Sequence, residues 1–112
     1  MTLLLFADVV LVPFPFTDQV GLKKRPAVVV SSDTYNGQRR DLVIMAITSQ
    51  VRMPLAFGEA MLIDWQAAGL IKPSVLKPVF TTLEQALVIR AMGTLSSTDQ
   101  STLRTVLTTV LG

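Results

Sequence analysis

Short apolar runs rich in β-branched residues alternate with turn-forming residues in the first half of the chain. Such runs are typical of buried strands, and they predict strands at 8–12, 26–30 and 42–48. The segment Pro13-Phe14-Pro15-Phe16 is expected to end the first strand, because proline cannot donate a hydrogen bond to a sheet. The pattern therefore indicates a β-rich first half.

Two polar segments separate these predicted strands. Residues 17–24 contain Asp, Gln and Gly and are predicted to form a loop. Residues 33–41 contain Asn36-Gly37, a pair typical of a hairpin turn, so we expect the chain to reverse there.

The second half of the chain carries weaker signals. Residues 53–64 predict one or two short strands, and Gly69 is expected to end a brief helix that begins near Asp64. Residues 75–83 predict another strand, in which Pro78 indicates an edge position or a bulge.

A last short strand is predicted at 87–92, and a helix at 97–111 follows it. Ser97-Thr98-Asp99-Gln100 has the S-x-x-Q form of a capping box, which marks the start of a helix. Apolar residues then recur at helical spacing and form one stripe, which we expect to pack on the sheet or on a second subunit. The stripe consists of Leu103, Val106, Leu107, Val110 and Leu111.

Five or six short strands followed by one helix predict a mainly β fold built as a small closed barrel, since closure removes exposed strand edges. The barrel is expected over about 7–95 and the helix over about 97–111, in a single domain of residues 1–112.

Apolar residues make up 50% of the chain and the mean hydropathy is +0.52. No apolar run approaches the ~20 residues that a spanning helix needs, so no membrane association is expected. The N-terminal apolar stretch is interrupted by Asp8 and two prolines, so no signal peptide is expected either. The surplus of apolar residues would suit a subunit interface.

The chain contains no cysteine and no histidine. Disulfides, thiol catalysis and cysteine-based zinc sites are thereby excluded, and a reducing cytoplasm is the expected location. The commonest general acid–base group is also absent, so any catalysis depends on other side chains. No P-loop, G-x-G-x-x-G, H-E-x-x-H or G-x-S-x-G motif is present, and the scattered acids predict no metal site and no cofactor.

Basic residues are concentrated between positions 18 and 52. Six bases and three acids lie in this stretch, whereas the remainder has four bases and five acids. A cluster of this kind suits a polyanion, although charge alone favours an ordinary solvated surface. The six bases are Lys23, Lys24, Arg25, Arg39, Arg40 and Arg52.

Two positions could carry chemistry on a phosphate. Arg25 stands where the predicted loop enters a strand, and its planar guanidinium suits bidentate contact with a phosphate. It could equally lie over the barrel end or pair with Asp8 or Asp18. Thr48 ends the third predicted strand and its hydroxyl could donate to a phosphate oxygen, although threonine is also an ordinary strand residue. The residues alone leave both alternatives open.

Single-stranded nucleic acids are often bound by aromatic side chains that stack on bases. Tyr35 lies beside the predicted turn and is the better stacking candidate, whereas Phe14 and Phe16 are expected in the core.

Several segments, taken in order, resemble the MazF/PemK family of toxin ribonucleases, and together they cover nearly the whole chain. No single motif is specific, but their order and spacing are. The matching segments are Ala7-Asp8-Val9-Val10, Lys23-Lys24-Arg25-Pro26-Ala27-Val28-Val29-Val30-Ser31, Ala46-Ile47-Thr48-Ser49, Asp64 to Leu70 with Pro73-Ser74, and Gly93-Thr94-Leu95-Ser96.

The resemblance implies a plug-like, SH3-type barrel that acts as a homodimer. It also implies metal-independent, sequence-selective cleavage of single-stranded RNA to 2′,3′-cyclic phosphate ends, and inhibition by a cognate antitoxin, with operator DNA bound only together with that antitoxin. By motif match, Arg25 and Thr48 would be catalytic. The implied RNA-binding residues are Gln19, Lys23, Lys24, Tyr35, Ser49 and Gln50.

Two departures from the family pattern concern the first part of the chain. The loop before the arginine reads Asp18-Gln19-Val20-Gly21-Leu22 instead of a Gly-Ser/Thr-Glu-Gln-Gly-like sequence, so its base contacts and target sequence are expected to differ. Ala7 replaces the glycine that usually precedes the aspartate. The alternative hypothesis is therefore a non-catalytic barrel that binds nucleic acid or protein.

Overall fold

A computed structural model describes residues 3–14 and 23–112. In these residues the chain forms six strands, two α-helices and one short 3₁₀ helix. Their order is β1 (Asp8–Phe14), β2 (Lys23–Val29), α1 (Asp33–Gln38), β3 (Asp41–Thr48), β4 (Ala60–Met61), β5 (Val75–Glu84), the 3₁₀ helix (Gln85–Leu87), β6 (Arg90–Thr94) and α2 (Ser97–Leu111).

The six strands form one antiparallel sheet in the order β4-β5-β3-β2-β1-β6. This sheet and the C-terminal helix confirm the predicted mainly β fold class. Within the described residues β4 and β6 are the two ends of the sheet, so the structure is a half-barrel, not the closed barrel that we expected.

Two apolar clusters lie on opposite faces of the sheet, because side chains alternate along each strand. One face packs on α2, and Val28, Met45 and Leu103 belong to the same buried cluster. The other, here called the inner face, carries a second buried cluster that lacks α2 residues. Its buried members are Val10, Val12, Ala27, Val29, Leu42, Ile44 and Ala46.

The segment with Asn36-Gly37 is a helix and not the predicted hairpin turn. The hydroxyl of Ser32 accepts a hydrogen bond from the backbone N–H of Tyr35 and caps α1. The buried amide of Asn36 donates to the backbone oxygen of Leu4 at 3.1 Å. This long-range contact outweighs the local turn preference of Asn-Gly.

Pro13 does not end β1 as predicted, whereas Pro78 lies at a bulge of β5 as predicted. Strand β1 continues through Pro13, which lies opposite Lys24, because β6 pairs with β1 only as far as Leu11 and so requires no donor at position 13. In β5 the register shifts next to Pro78, which confirms the predicted bulge.

Helix α2 spans the predicted residues, Ser97–Leu111, but its N-cap is Ser96 and not Ser97. Ser96 is the N-cap, and its hydroxyl accepts a hydrogen bond from the backbone N–H of Asp99 at 3.2 Å. Along the apolar stripe, Leu103 and Val106 are buried, whereas Leu111 is 65% exposed. Near position 64, residues Asp64 to Gly69 form only a turn, which ends with Gly69 at a φ of +83°.

Candidate functional site

Arg25 lies in β2, opposite Val12 of β1. Ala27 to Val29, the apolar end of β2, is fully buried, so the strand that carries Arg25 is firmly anchored. The side chain of Arg25 is half-buried and its Nε atom is shielded from solvent. Because strand residues alternate, Arg25 lies on the same face as Ala27, which is the inner face.

Thr48 is the last residue of β3 and lies opposite Val75 of β5. It also lies on the inner face, two residues beyond Ala46. Its Oγ1 accepts a hydrogen bond from the backbone N–H of Gln50 at 3.1 Å. This contact fixes the oxygen and leaves the hydroxyl hydrogen to donate elsewhere.

Adjacent strands bring these two residues together. The β2–β3 pairing ends with Ala27 opposite Ala46, and Arg25 and Thr48 each lie two residues beyond that last pair on their own strands. Because side chains alternate along a strand, both residues lie on the inner face. A guanidinium and a hydroxyl are therefore placed at the same end of the inner face.

A groove of about 330 Å³ opens beside Thr48. Arg52 and Lys77 bring two exposed cations to it, and Glu59 contributes one carboxylate. The lining residues are Thr48, Gln50, Arg52, Pro54, Ala56, Glu59 and Lys77. Arg52 and Lys77 were not among the predicted site residues. The excess of basic residues between positions 18 and 52 was the only sequence signal for Arg52.

Some of the other residues that were predicted to bind RNA lie near Arg25 or Thr48 in the sequence, and one of them lines the groove. Lys23 and Lys24 are exposed at the start of β2, and Ser49 and Gln50 are exposed directly after Thr48. Gln50 also lines the groove. Gln19 lies outside the described residues.

Tyr35 is not brought together with Arg25 and Thr48. Its hydroxyl donates to Oδ2 of Asp41 at 2.7 Å, so it lies by the first residue of β3, whereas Thr48 is the last. Seven strand steps of roughly 3.3 Å separate these ends by about 23 Å. Arg39 also packs on the Tyr35 ring, 5.4 Å from its centroid, and pairs with Asp41 at 2.9 Å.

Hydrogen bonds shift the pKa values of Tyr35 and Asp41 in opposite directions. The hydrogen bond to Asp41 raises the pKa of Tyr35 above its usual value. The same bond, followed by the bond from Arg39, lowers the pKa of Asp41. At neutral pH Tyr35 is therefore a neutral donor with its hydroxyl already engaged.

Asp8, one of the suggested partners of Arg25, has other contacts. Its Oδ2 accepts from the backbone N–H of Leu5 at 2.8 Å, and its Oδ1 accepts from the hydroxyl of Thr94 at 2.8 Å. These bonds hold the chain before β1 against β6. The other suggested partner, Asp18, lies outside the described residues.

In residues 3–14 and 23–112, no three acidic side chains gather into a site that could hold a metal ion. Across the same part of the chain, no helix has both the length and the apolarity needed to cross a membrane.

The described residues thus form a half-barrel that carries Arg25 and Thr48 on its inner face, with a groove lined by Arg52 and Lys77 beside Thr48. The chain belongs to the family of PemK-like, MazF-like toxins of type II toxin–antitoxin systems, whose model matches residues 6–111. No curated protein matches it in sequence.

Solved structures share the fold over nearly the full chain. An endoribonuclease from a Mycobacterial species, determined with its cognate antitoxin, is 18% identical with a TM-score of 0.75, and the match covers 100% of this chain and 96% of that one. The MazE–MazF structure from Deinococcus radiodurans is 23% identical with a TM-score of 0.73, covering 99% and 98%. The Mycobacterium tuberculosis toxin MazF-mt6 is 18% identical with a TM-score of 0.70, covering 89% and 91%.

Proposed function

We propose that this chain is the toxin of a type II toxin–antitoxin system and a sequence-selective endoribonuclease that cleaves single-stranded RNA. The proposal is supported by the location of Arg25 and Thr48 on the inner face, each two residues beyond the last β2–β3 pair. Family membership and the naming of a structural neighbour as an endoribonuclease support the same activity.

The proposed reaction is an internal transfer at one phosphate. The 2′-oxygen of a ribose forms a bond to its own phosphorus, and the bond from phosphorus to the 5′-oxygen of the next nucleotide breaks. The products are a 2′,3′-cyclic phosphate and a 5′-hydroxyl, which takes up the proton that the 2′-hydroxyl loses. Dependence on the 2′-hydroxyl restricts the reaction to RNA.

Charge stabilisation is the proposed role of both side chains. Negative charge builds up on the phosphorane oxygens, where the guanidinium of Arg25 supplies fixed positive charge and the hydroxyl of Thr48 donates a hydrogen bond. Arginine stays protonated at neutral pH, so we assign Arg25 to charge stabilisation and leave the proton-transfer group unassigned. The proposal uses only groups of the chain and requires no metal.

A cognate antitoxin is the proposed protein partner. Two of the structural neighbours were determined together with an antitoxin, one named as its cognate antitoxin and one as MazE. An acidic segment that folds on binding could cover the exposed Lys23 and Lys24 and so exclude RNA. Operator DNA is a proposed ligand only of the toxin–antitoxin complex.

We also propose that the chain acts as a homodimer in the cytoplasm. Large apolar side chains remain exposed in the single chain, including Phe57 at 81% and Ile71 at 86%. Burial of such side chains against a second copy would remove them from water. Sedimentation equilibrium should return twice the 12.2 kDa chain mass. A monomer mass at micromolar concentration would refute this part.

The activity is tested by incubating the purified protein with a long single-stranded RNA in EDTA and sequencing the fragment ends. The proposal predicts discrete cuts that bear 2′,3′-cyclic phosphates, at a common short motif. Arg25→Ala should slow these cuts by about 10²–10³. Arg40→Ala, an exposed arginine outside the site, is the matched control and should leave them unchanged.

Two outcomes separate the alternatives. RNA that stays intact but binds with a salt-dependent constant would favour the non-catalytic binding barrel. Cuts that appear only when a divalent metal is supplied would overturn metal independence while preserving the nuclease.

A further inference from the structure

The groove beside Thr48 contains two cations from separate parts of the chain. Lys77 comes from β5, where it lies opposite Ala46, and Arg52 comes from the loop after β3. Both side chains are exposed and both line the groove. Within the described residues neither one forms an ion pair.

Strand pairing fixes Lys77 relative to Thr48. Thr48 lies opposite Val75, so Lys77 is its diagonal neighbour on the same face. Diagonal neighbours are about 7–8 Å apart, within reach of a long side chain. The bulge next to Pro78 follows immediately, so Lys77 is the last residue of β5 in this register before the strand shifts.

Arg25 and Lys77 therefore flank Thr48 from opposite sides. Arg25 is on β2 and Lys77 is on β5, and β3 runs between them. Two strand spacings of about 4.8 Å place β2 and β5 about 10 Å apart, and the two residues are further offset along the strands. One phosphate held between Arg25 and Thr48 thus leaves room for a neighbouring phosphate on the Lys77 side.

We propose that Lys77 and Arg52 form a second phosphate subsite, which binds the RNA backbone next to the phosphate that is cleaved. This inference rests on the proposed ribonuclease function. The two cations hold the strand in register over Thr48 and contribute to binding, whereas the reacting phosphate is contacted by Arg25 and Thr48.

Glu59 is the one acid among the groove-lining residues, and its contacts suit a structural role. Its Oε1 accepts a hydrogen bond from the backbone N–H of Ala56 at 2.9 Å, and its own N–H donates to the Ala56 oxygen at 3.1 Å. This reciprocal pair closes a turn that forms one wall of the groove. Two cations against one carboxylate leave the groove with net positive charge, as a phosphate ligand requires.

The test measures binding of a 2′-O-methyl RNA strand as a function of salt concentration, because that strand cannot undergo the cleavage reaction. Each phosphate contact to a single strand contributes about 0.7 to the slope of log K against log salt. Lys77→Gln and Arg52→Gln should each reduce the slope by about 0.7 and weaken binding several-fold at low salt. Lys72→Gln, an exposed lysine outside the groove, is the matched control and should match wild type.

Both substitutions remove exposed side chains, so an unchanged far-ultraviolet circular dichroism spectrum will confirm that each variant is folded. If wild type cuts RNA but both variants keep the wild-type slope, the subsite is refuted and the ribonuclease stands. If wild type neither binds nor cuts RNA, the proposed function fails and the subsite fails with it.

Discussion

The carboxylate of Asp99 accepts a hydrogen bond from the backbone N–H of Ile63, 36 residues earlier in the chain, at an Oδ1–N distance of 2.9 Å. Its Oδ2 accepts from the N–H of Asp64 at 2.8 Å, and the residue is fully buried. Asp99 also lies in the first turn of α2, where a negative charge is favoured by the helix dipole. One side chain thus ties the start of the terminal helix to the segment that follows β4.

Replacing Asp99 with alanine should destabilise the protein markedly, because two backbone donors would lose their charged acceptor in a buried setting. The variant loses hydrogen bonds to a charged group and leaves buried N–H donors unsatisfied. We therefore expect the free energy of unfolding to fall by about 2–3 kcal/mol. Urea denaturation measures this loss. Glu84→Ala removes an exposed carboxylate and is expected to change stability little. Equal stabilities of the two variants would show that the Asp99 contacts are not stabilising.

Gly69 and Gly37 should respond oppositely to alanine. Gly69 has a φ of +83°, and a Cβ there would clash with the backbone carbonyl of Met92, so Gly69→Ala should cost at least about 2 kcal/mol. Gly37 lies inside α1 with nothing within 4 Å of an added Cβ, so Gly37→Ala should stabilise by about 0.5–1 kcal/mol. Thermal unfolding of both variants provides the comparison, and a tolerated alanine at 69 would contradict the close approach.

Tyr35 should ionise at a higher pH than an ordinary tyrosine, because its hydroxyl donates to the Asp41 carboxylate and this raises its pKa. The stabilisation from this raised pKa is present below the unfolded-state pKa of the phenol and is lost as pH rises through the folded-state pKa. Tyr35 is the only tyrosine, so tyrosinate absorbance reports on it alone. Asp41→Asn should move the titration to lower pH, while Asp64→Asn should not. An unshifted titration in wild type would refute the contact.

Asp41 should make the stability of the fold depend on pH in the opposite sense, with stability lost at low pH. Its pKa is lowered by the hydrogen bonds from Tyr35 and Arg39. The resulting stabilisation is present above the unfolded-state pKa of the carboxyl and is lost as pH falls through the lowered folded-state pKa. Stability measured over the acidic range should therefore fall less steeply in Asp41→Asn than in wild type, and equal slopes would contradict the assignment.

The hydrophobic pattern within a single segment was enough to predict β3 and α2. The run at 42–48 became β3 with its first residue at Asp41, and the apolar stripe of α2 buried Leu103 and Val106 as expected. The prediction failed where a distant partner decides the conformation. Asn36-Gly37 is helical because the Asn36 side chain bonds to Leu4, 32 residues away, and a local turn rule cannot include that contact.

The sequence predicted only those site residues that belong to a recognisable motif within one segment. Arg25 and Thr48 each stand in a segment that matches the family pattern, and they remain predictions that the RNA experiments test. Lys77 was not predicted, because it lines the groove only as a result of the pairing of β5 with β3. Sequence spacing does not show which strands are neighbours, so a site assembled across strands becomes visible only in the fold.

The most direct test of the central claim is the rate at which Arg25→Ala and Thr48→Ala cleave one defined RNA that wild type cuts. If both side chains stabilise the same phosphorane, each folded variant should lose about 10²–10³ in rate. Arg40→Ala and Thr82→Ala, an exposed arginine and an exposed strand threonine, should cleave at the wild-type rate. Wild-type cleavage by folded Arg25→Ala and Thr48→Ala would contradict the site.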